Sequence, residues 1–147
     1  MENYQIDERF MREALKEAQK AADEDEVPIG AVIVCQNQII ARAHNLTETL
    51  NDPTAHAEMQ AITSATNFLG GKYLDQCILY VTVEPCPMCA GALYWAQVGR
   101  LVFGAQDPKR GFNLFEKNIL HPKTAITAGI LKKDCSLLVS NFFIKKR

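Results

Sequence analysis

The stretch VEPCPMCAG, Val83 to Gly91, places Cys86 and Cys89 three residues apart just after Pro85. On a helix, positions i and i+3 share a face, so both sulfurs can aim at one point. A helix start also favours their thiolate forms through its free N–H groups and dipole. Such a pair suits zinc, but a redox Cys-x-x-Cys has the same spacing and also follows a strand, so two cysteines alone leave both readings open. The third donor separates them. Of three histidines, His56 lies in PTAHAEM at the start of an earlier helical stretch, with Glu58 two positions on. Two thiolates and one neutral imidazole balance the charge of Zn²⁺ and leave a fourth position open to water, the pattern of a catalytic site and not of a closed structural one.

Residues i and i+2 do not face one way in mid-helix. Only in a first turn can His56 bind metal while Glu58 reaches the open position, and Pro53 and Thr54 predict that both residues sit there. Two thiolates donate charge and blunt the acidity of a bound water, so a carboxylate base is required, and Glu58 is the candidate. A structural site would need its fourth ligand from Cys35, Cys77, Cys135, His44 or His121. The three cysteines lie in apolar patterns and read as core.

The elements that must position these groups follow from periodicity. DERFMREALKEAQKAADED spaces Phe10, Met11, Ala14, Leu15, Ala18 and Ala21 by threes and fours, predicting an amphipathic helix from near Asp7. IGAVIVC and IIARAHN flank the polar turn QNQ and read as a hairpin. TAHAEMQAITSATNFLGG is helical between Pro53-Thr54 and Gly70-Gly71. CILYVTV reads as a buried strand, PMCAGALYWAQ as a helix with Pro87 in its first turn, and RLVFGA as a fourth strand. After the loop DPKRGF, NLFEKNIL predicts a short helix and KTAITA a fifth strand. A closing helix carries Leu131, Cys135, Leu138, Val139, Phe142 and Phe143 as its apolar stripe. Two hairpin strands followed by alternating strand and helix predict an α/β chain with a mixed sheet covered by helices.

At 147 residues and 48% hydrophobic composition, one domain over residues 1–147 is expected. No apolar run is long enough to cross a bilayer, and MENYQIDERF carries acid where a secretory signal carries base, so the chain reads as cytoplasmic with reduced thiols. The net charge of −1 hides an asymmetry: residues 1–26 carry nine acids against four bases, and residues 100–147 ten bases against three acids. The last third is where a polyanion would land, or a solvated helix face; a general duplex binder is disfavoured by the overall pI near 6.3.

His-x-Glu followed by Pro-Cys-x-x-Cys resembles the signature of the zinc-dependent nucleoside and nucleobase deaminases. The resemblance spans nearly the whole chain: EVPIGAVIV, NDPTAHAE, LYVTVEPCPMCAGA and LVFGAQDPKRG look like the bacterial tRNA adenosine deaminases, which convert a wobble adenosine to inosine. It implies a three-layer cytidine-deaminase-like fold, a five-stranded mixed sheet with helices on both faces, and a zinc ion in each chain. It further implies His56, Cys86 and Cys89 as zinc ligands, Glu58 as proton shuttle, and Asn45 as a hydrogen-bonding partner of the purine. Backbone groups of Ala57 and Cys86 would line the pocket. Asp107 would contact an RNA sugar, while Lys109 and the end from Phe143 through Lys146 to Arg147 would form an edge of the nucleic-acid surface. The implied partners are a tRNA anticodon stem-loop and a second copy of the chain, with AGALYWA as a contact face unless Trp95 is core. One departure is NILHPKTAI, shorter than in the better-known enzymes and retaining only His121. Guanine deaminase is the competing member on the same scaffold, cytosine or deoxycytidylate deamination a further one, and a zinc-stapled binding protein the competitor from another class.

Overall fold

Gln36 and Asn37 both take positive φ, 52° and 61°, the conformation that a two-residue type I′ hairpin demands. They join β1 (Gly30–Cys35) to β2 (Gln38–His44). The computed structural model describes residues 2–146, so Arg147 lies outside the described residues. Ahead of the hairpin runs α1 (Glu2–Asp23); after it come α2 (Ala57–Leu69), β3 (Cys77–Val83), α3 (Pro87–Ala96), β4 (Arg100–Ala105), β5 (Ala125–Ala128) and α4 (Lys132–Lys145). The five strands form one sheet in the order β2-β1-β3-β4-β5. β1 pairs antiparallel with β2 and β3, whereas β3, β4 and β5 run parallel.

Alternation along the central strands sorts side chains onto two faces. Ala31, Ile33, Leu79, Val81, Leu101 and Phe103 pack with the alanines of α2 and with Ala90 and Leu93 of α3. Val32, Val34, Tyr80 and Val102 pack on the other side against Phe10, Met11 and Ala14 of α1 and Cys135 of α4. Both faces are covered, which is why these strands read as continuous apolar runs. The three-layer mixed sheet expected from the sequence is the fold observed. No helix among the described residues is long and apolar enough to cross a membrane.

Three local expectations are corrected, and one alternative left open, at Trp95, is decided. α1 begins at Glu2 and not near Asp7. Asp7 is no first-turn acid but a buried one, held by the guanidinium of Arg100 at 2.6 and 2.9 Å and by the Tyr80 hydroxyl at 2.7 Å. The NLFEKNIL stretch yields only a 3₁₀ turn at Phe112–Leu114. Farther on, the Asn118 side chain accepts the N–H of Leu120, a local bond that competes with helix. In α4 only Cys135 is buried, packed with Tyr80 and Val102 of the sheet, and Phe143 is 48% exposed. Trp95 is 76% exposed and not core.

Replacing Asp7 by Ala strands the Arg100 guanidinium and removes three hydrogen bonds at once. Urea titration is expected to show a loss of about 2–3 kcal/mol, with the Tyr80→Phe change costing less.

Candidate active site

Both ligand-bearing segments are helix N-termini. β3 runs through Glu84 and Pro85 into Cys86, the N-cap of α3, with Pro87 in the first turn where no N–H partner is needed. His56 is the N-cap of α2, with φ −73° and ψ 155°. Its backbone is extended and not helical, which resolves the i, i+2 difficulty. His56 leaves the helical screw and Glu58 stays on it, and both line one cavity. Pro53 and Thr54 stand at the entry of α2 as expected, in a turn closed by the Asp52 carboxylate on the N–H and hydroxyl of Thr54, both at 2.8 Å.

His56 Nδ1 lies 3.7 Å from Cys86 Sγ and 3.4 Å from Cys89 Sγ. A tetrahedral ion bound at about 2.1 Å to nitrogen and 2.3 Å to sulfur separates such atoms by about 3.6 Å. All three donor atoms lie within 4.8 Å of one another, so the residues fit a zinc ion without rearrangement. Cys86 is held down to about 4, chiefly by a hydrogen bond from Cys89 and against the effect of burial, with His56 assisting. The same contact pushes the Cys89 thiol up, and the bond to Cys86 raises His56. A metal would take the place of the proton shared among them. Glu58 is buried, and that burial pushes its carboxyl up to about 7. A carboxyl poised there can both take and return a proton near neutral pH.

The cavity above these groups measures about 360 Å³, within the size range of small-molecule sites. Asn45, just past β2, and Ala57, the first residue of α2, stand in its walls, and Asp107 stands at its rim. Asn45 is anchored through its N–H to the Ile29 carbonyl at 3.0 Å. A second cavity of about 520 Å³ shares Pro53, His56 and Cys86 with the first and adds Lys109, Met88 and Phe115. Phe143 lies in a third, which meets the first at Val27, Ile29, Val83, Asp107 and Arg110. Lys146 is farther away, paired with Asp25 and set over the Phe142 ring, and lines no cavity with the metal-binding triad.

Sequence reasoning missed three residues. Arg110 lines both the catalytic cavity and the neighbouring one. Glu84 and Glu26 are buried carboxylates that hold the two rim loops. Glu26 accepts the N–H groups of Glu48 and Thr49 at 3.0 and 2.6 Å and the Thr49 hydroxyl at 2.6 Å. The signal available was an acid flanking each predicted strand, which also describes ordinary loop residues.

The family described as cytidine and deoxycytidylate deaminase, zinc-binding region, matches residues 4–105, and the chain belongs to it. That span carries β1 to β4 and both ligand-bearing helices. The tRNA-specific adenosine deaminase of Bacillus subtilis (strain 168) is 47% identical over 96% of this chain and 91% of its own length. A solved tRNA:A34 deaminase, of the kind that performs A-to-I editing at the wobble position of transfer RNA, aligns with a TM-score of 0.83 at 43% identity, covering 88% of this chain and 98% of that one. The guanine deaminase of Bacillus subtilis aligns with a TM-score of 0.64 at 46% identity, covering 67% of this chain and 64% of that one.

Burial raises the Glu26 carboxyl, but the four hydrogen bonds from Thr49, Glu48 and Thr47 outweigh it and leave it below the ordinary value of 4.5. A depressed acid stabilises the fold above its unfolded value and loses that contribution as pH falls through its folded value. Wild type is therefore expected to exceed Glu26→Gln in stability at pH 7, with the gap closing below pH 4.5 in denaturant titrations at stepped pH.

Proposed function

We propose that this protein hydrolyses the 6-amino group of adenosine at the wobble position of a tRNA anticodon loop, giving inosine and ammonia. The observation that carries this reading is breadth of likeness combined with sequence identity, since a guanine deaminase from Nitrosomonas europaea covers 92% of the chain but at only 23% identity. The tRNA enzymes match 96% and 88% of the chain, whereas guanine deaminase, at similar identity, matches 67%. That similar identity is also what keeps guanine-to-xanthine conversion as the second reading.

His56, Cys86 and Cys89 are the proposed zinc ligands. When bound, the ion supplies the Lewis acidity that lets water lose a proton near neutral pH. Glu58 accepts that proton and returns protons to the purine ring nitrogen and the leaving ammonia. Asn45 hydrogen-bonds the purine, and backbone groups of Ala57 and Cys86 close the pocket around it. A cavity of about 360 Å³ takes one splayed base, and extruding it costs less from a single-stranded loop than from a duplex. Asp107 faces the ribose, Lys109 the phosphates beside it, and Phe143 and Lys146 a more distant edge of the stem-loop.

The chain acts, in this reading, as a single domain over residues 1–147 in the cytoplasm and as a homodimer. The outer side of α3 supports the last point. Trp95 and Tyr94 are exposed with their rings edge to face at 5.6 Å, and Met88, Leu114 and Phe115 are exposed nearby. Large apolar groups clustered at a surface mark a contact face.

Purified protein offered an anticodon stem-loop with adenosine at the wobble position should yield inosine, while free guanine should yield no xanthine; the reverse outcome moves the assignment to guanine deaminase. Glu58→Ala should keep its zinc yet lose turnover by a factor of about 10²–10⁴, and undiminished turnover would exclude the proton role. In sedimentation, Trp95→Glu should convert a dimer to a monomer. A mass identical to wild type would place the interface elsewhere.

A further inference from the structure

Glu84 is a buried acid, 5% exposed, that reaches the wall of the catalytic cavity but has no part in the chemistry above. One of its carboxylate oxygens accepts the N–H of Asp107 at 3.0 Å and the other the N–H of Asn113 at 2.9 Å. Its own N–H donates to the Ala105 carbonyl at 2.8 Å, and the N–H of Phe112 donates to the Pro85 carbonyl at 3.0 Å. These bonds join both ends of the 106–113 loop to the two residues that precede the metal-binding Cys86. Gly111 passes so close that an added Cβ would run into the Glu84 carboxylate. Among the described residues Glu84 forms no ion pair; its charge is met by backbone N–H groups.

We propose that Glu84 is a positioning residue: it fixes the 106–113 loop to the Cys86 segment, so that the rim which meets the substrate and the segment that meets the metal keep one geometry. A carboxylate is the group this task requires. Two backbone donors point at two oxygens, and an amide would offer one acceptor and turn its NH₂ toward the other N–H. Aspartate would fall a methylene short. What the loop carries explains why its shape matters: Asp107 stands at the catalytic cavity, Lys109 at the neighbouring one, and Arg110 at both. Asp107 itself depends on the clamp, because its side chain in turn accepts the N–H groups of Lys109 and Arg110 at 3.0 Å each. Glu84 thus acts on the substrate through those residues, its two carboxylate oxygens being taken up by the loop's N–H groups.

The kinetic consequence rests on the proposed deaminase reading; the consequence for the loop does not. The test compares zinc-loaded, full-length wild type with Glu84→Gln and Gly111→Ala. In amide hydrogen exchange, the N–H groups of Asp107 and Asn113 should exchange about tenfold faster in both variants, with zinc content unchanged. With the stem-loop substrate, KM should rise about tenfold while kcat stays within about twofold. Unchanged exchange at Asp107 and Asn113 in both variants overturns the proposal. So does a fall in kcat at constant KM accompanied by loss of zinc, which would mean that Glu84 serves the metal site itself. If Glu84→Gln does not fold, Gly111→Ala decides by the same two criteria, since it leaves the carboxylate in place and only pushes the loop from it. If wild type makes no inosine, the functional reading falls while the exchange comparison still decides the role of Glu84.

Discussion

Three donor atoms from two separate helices have to meet within 4.8 Å, and most of the architecture follows from that demand. Both helices must start at the same end of the sheet and on the same face. β1 and β3 are neighbours, so the chain leaving β3 and the chain returning from the hairpin through the 46–55 loop arrive side by side. α2 buries Ala57, Ala61 and Ala65, and α3 buries Ala90 and Ala96 beside Leu93. Small side chains let helices settle closely on the strands, which brings their first turns into register. The dipoles of those turns and the free N–H groups then favour the thiolate of Cys86 where a cation is to sit.

That constraint was legible in the sequence because its parts are local. Pro87 after Cys86, Gly70 at the end of α2 with φ 69°, and the unbroken apolar runs of β1, β3 and β4 each carry a structural meaning within a few residues. The losses occurred where a residue answers to a partner far along the chain. Asp7 reads as a helix-start acid until Arg100, 93 residues away, is seen to hold it. Glu84 and Glu26 read as loop acids because their partners are backbone N–H groups, which leave no trace in side-chain patterns. Phe143 follows the apolar period of α4, yet period shows only which way a side chain points. Whether anything lies opposite depends on what distant parts of the chain place there: Cys135 meets Tyr80 and Val102 of the sheet, whereas Phe143, farther along the helix, stays 48% exposed.

The rim of the catalytic cavity is built on an unusual footing for surface loops. Each of its two loops closes on a buried carboxylate that accepts backbone donors, so loop shape is set from beneath. Burying a charge is costly unless every lone pair is engaged. Here the acceptors are engaged by N–H groups that the loops would otherwise have to leave to water. Some rim side chains share in that work, Asp107 and Thr49 among them, while Lys109 and Arg110 contribute only their backbone N–H groups to it.

The same economy shapes the charge distribution. Read along the chain, acids gather at the start and bases at the end, yet in space several of them lie side by side. Glu13 and Glu17 of α1 pair with Arg42, Glu17 and Glu24 flank His44, Asp7 holds Arg100, and Asp25 holds Lys146. Three acids of α1, Asp7, Glu13 and Glu17, are thus met by arginines of the sheet. Among the described residues Lys109 and Arg110 take part in no such pair, and they stand where the two cavities open. In a chain of nearly neutral total charge, two such bases lining adjoining cavities can attract an anionic group there without a globally basic surface.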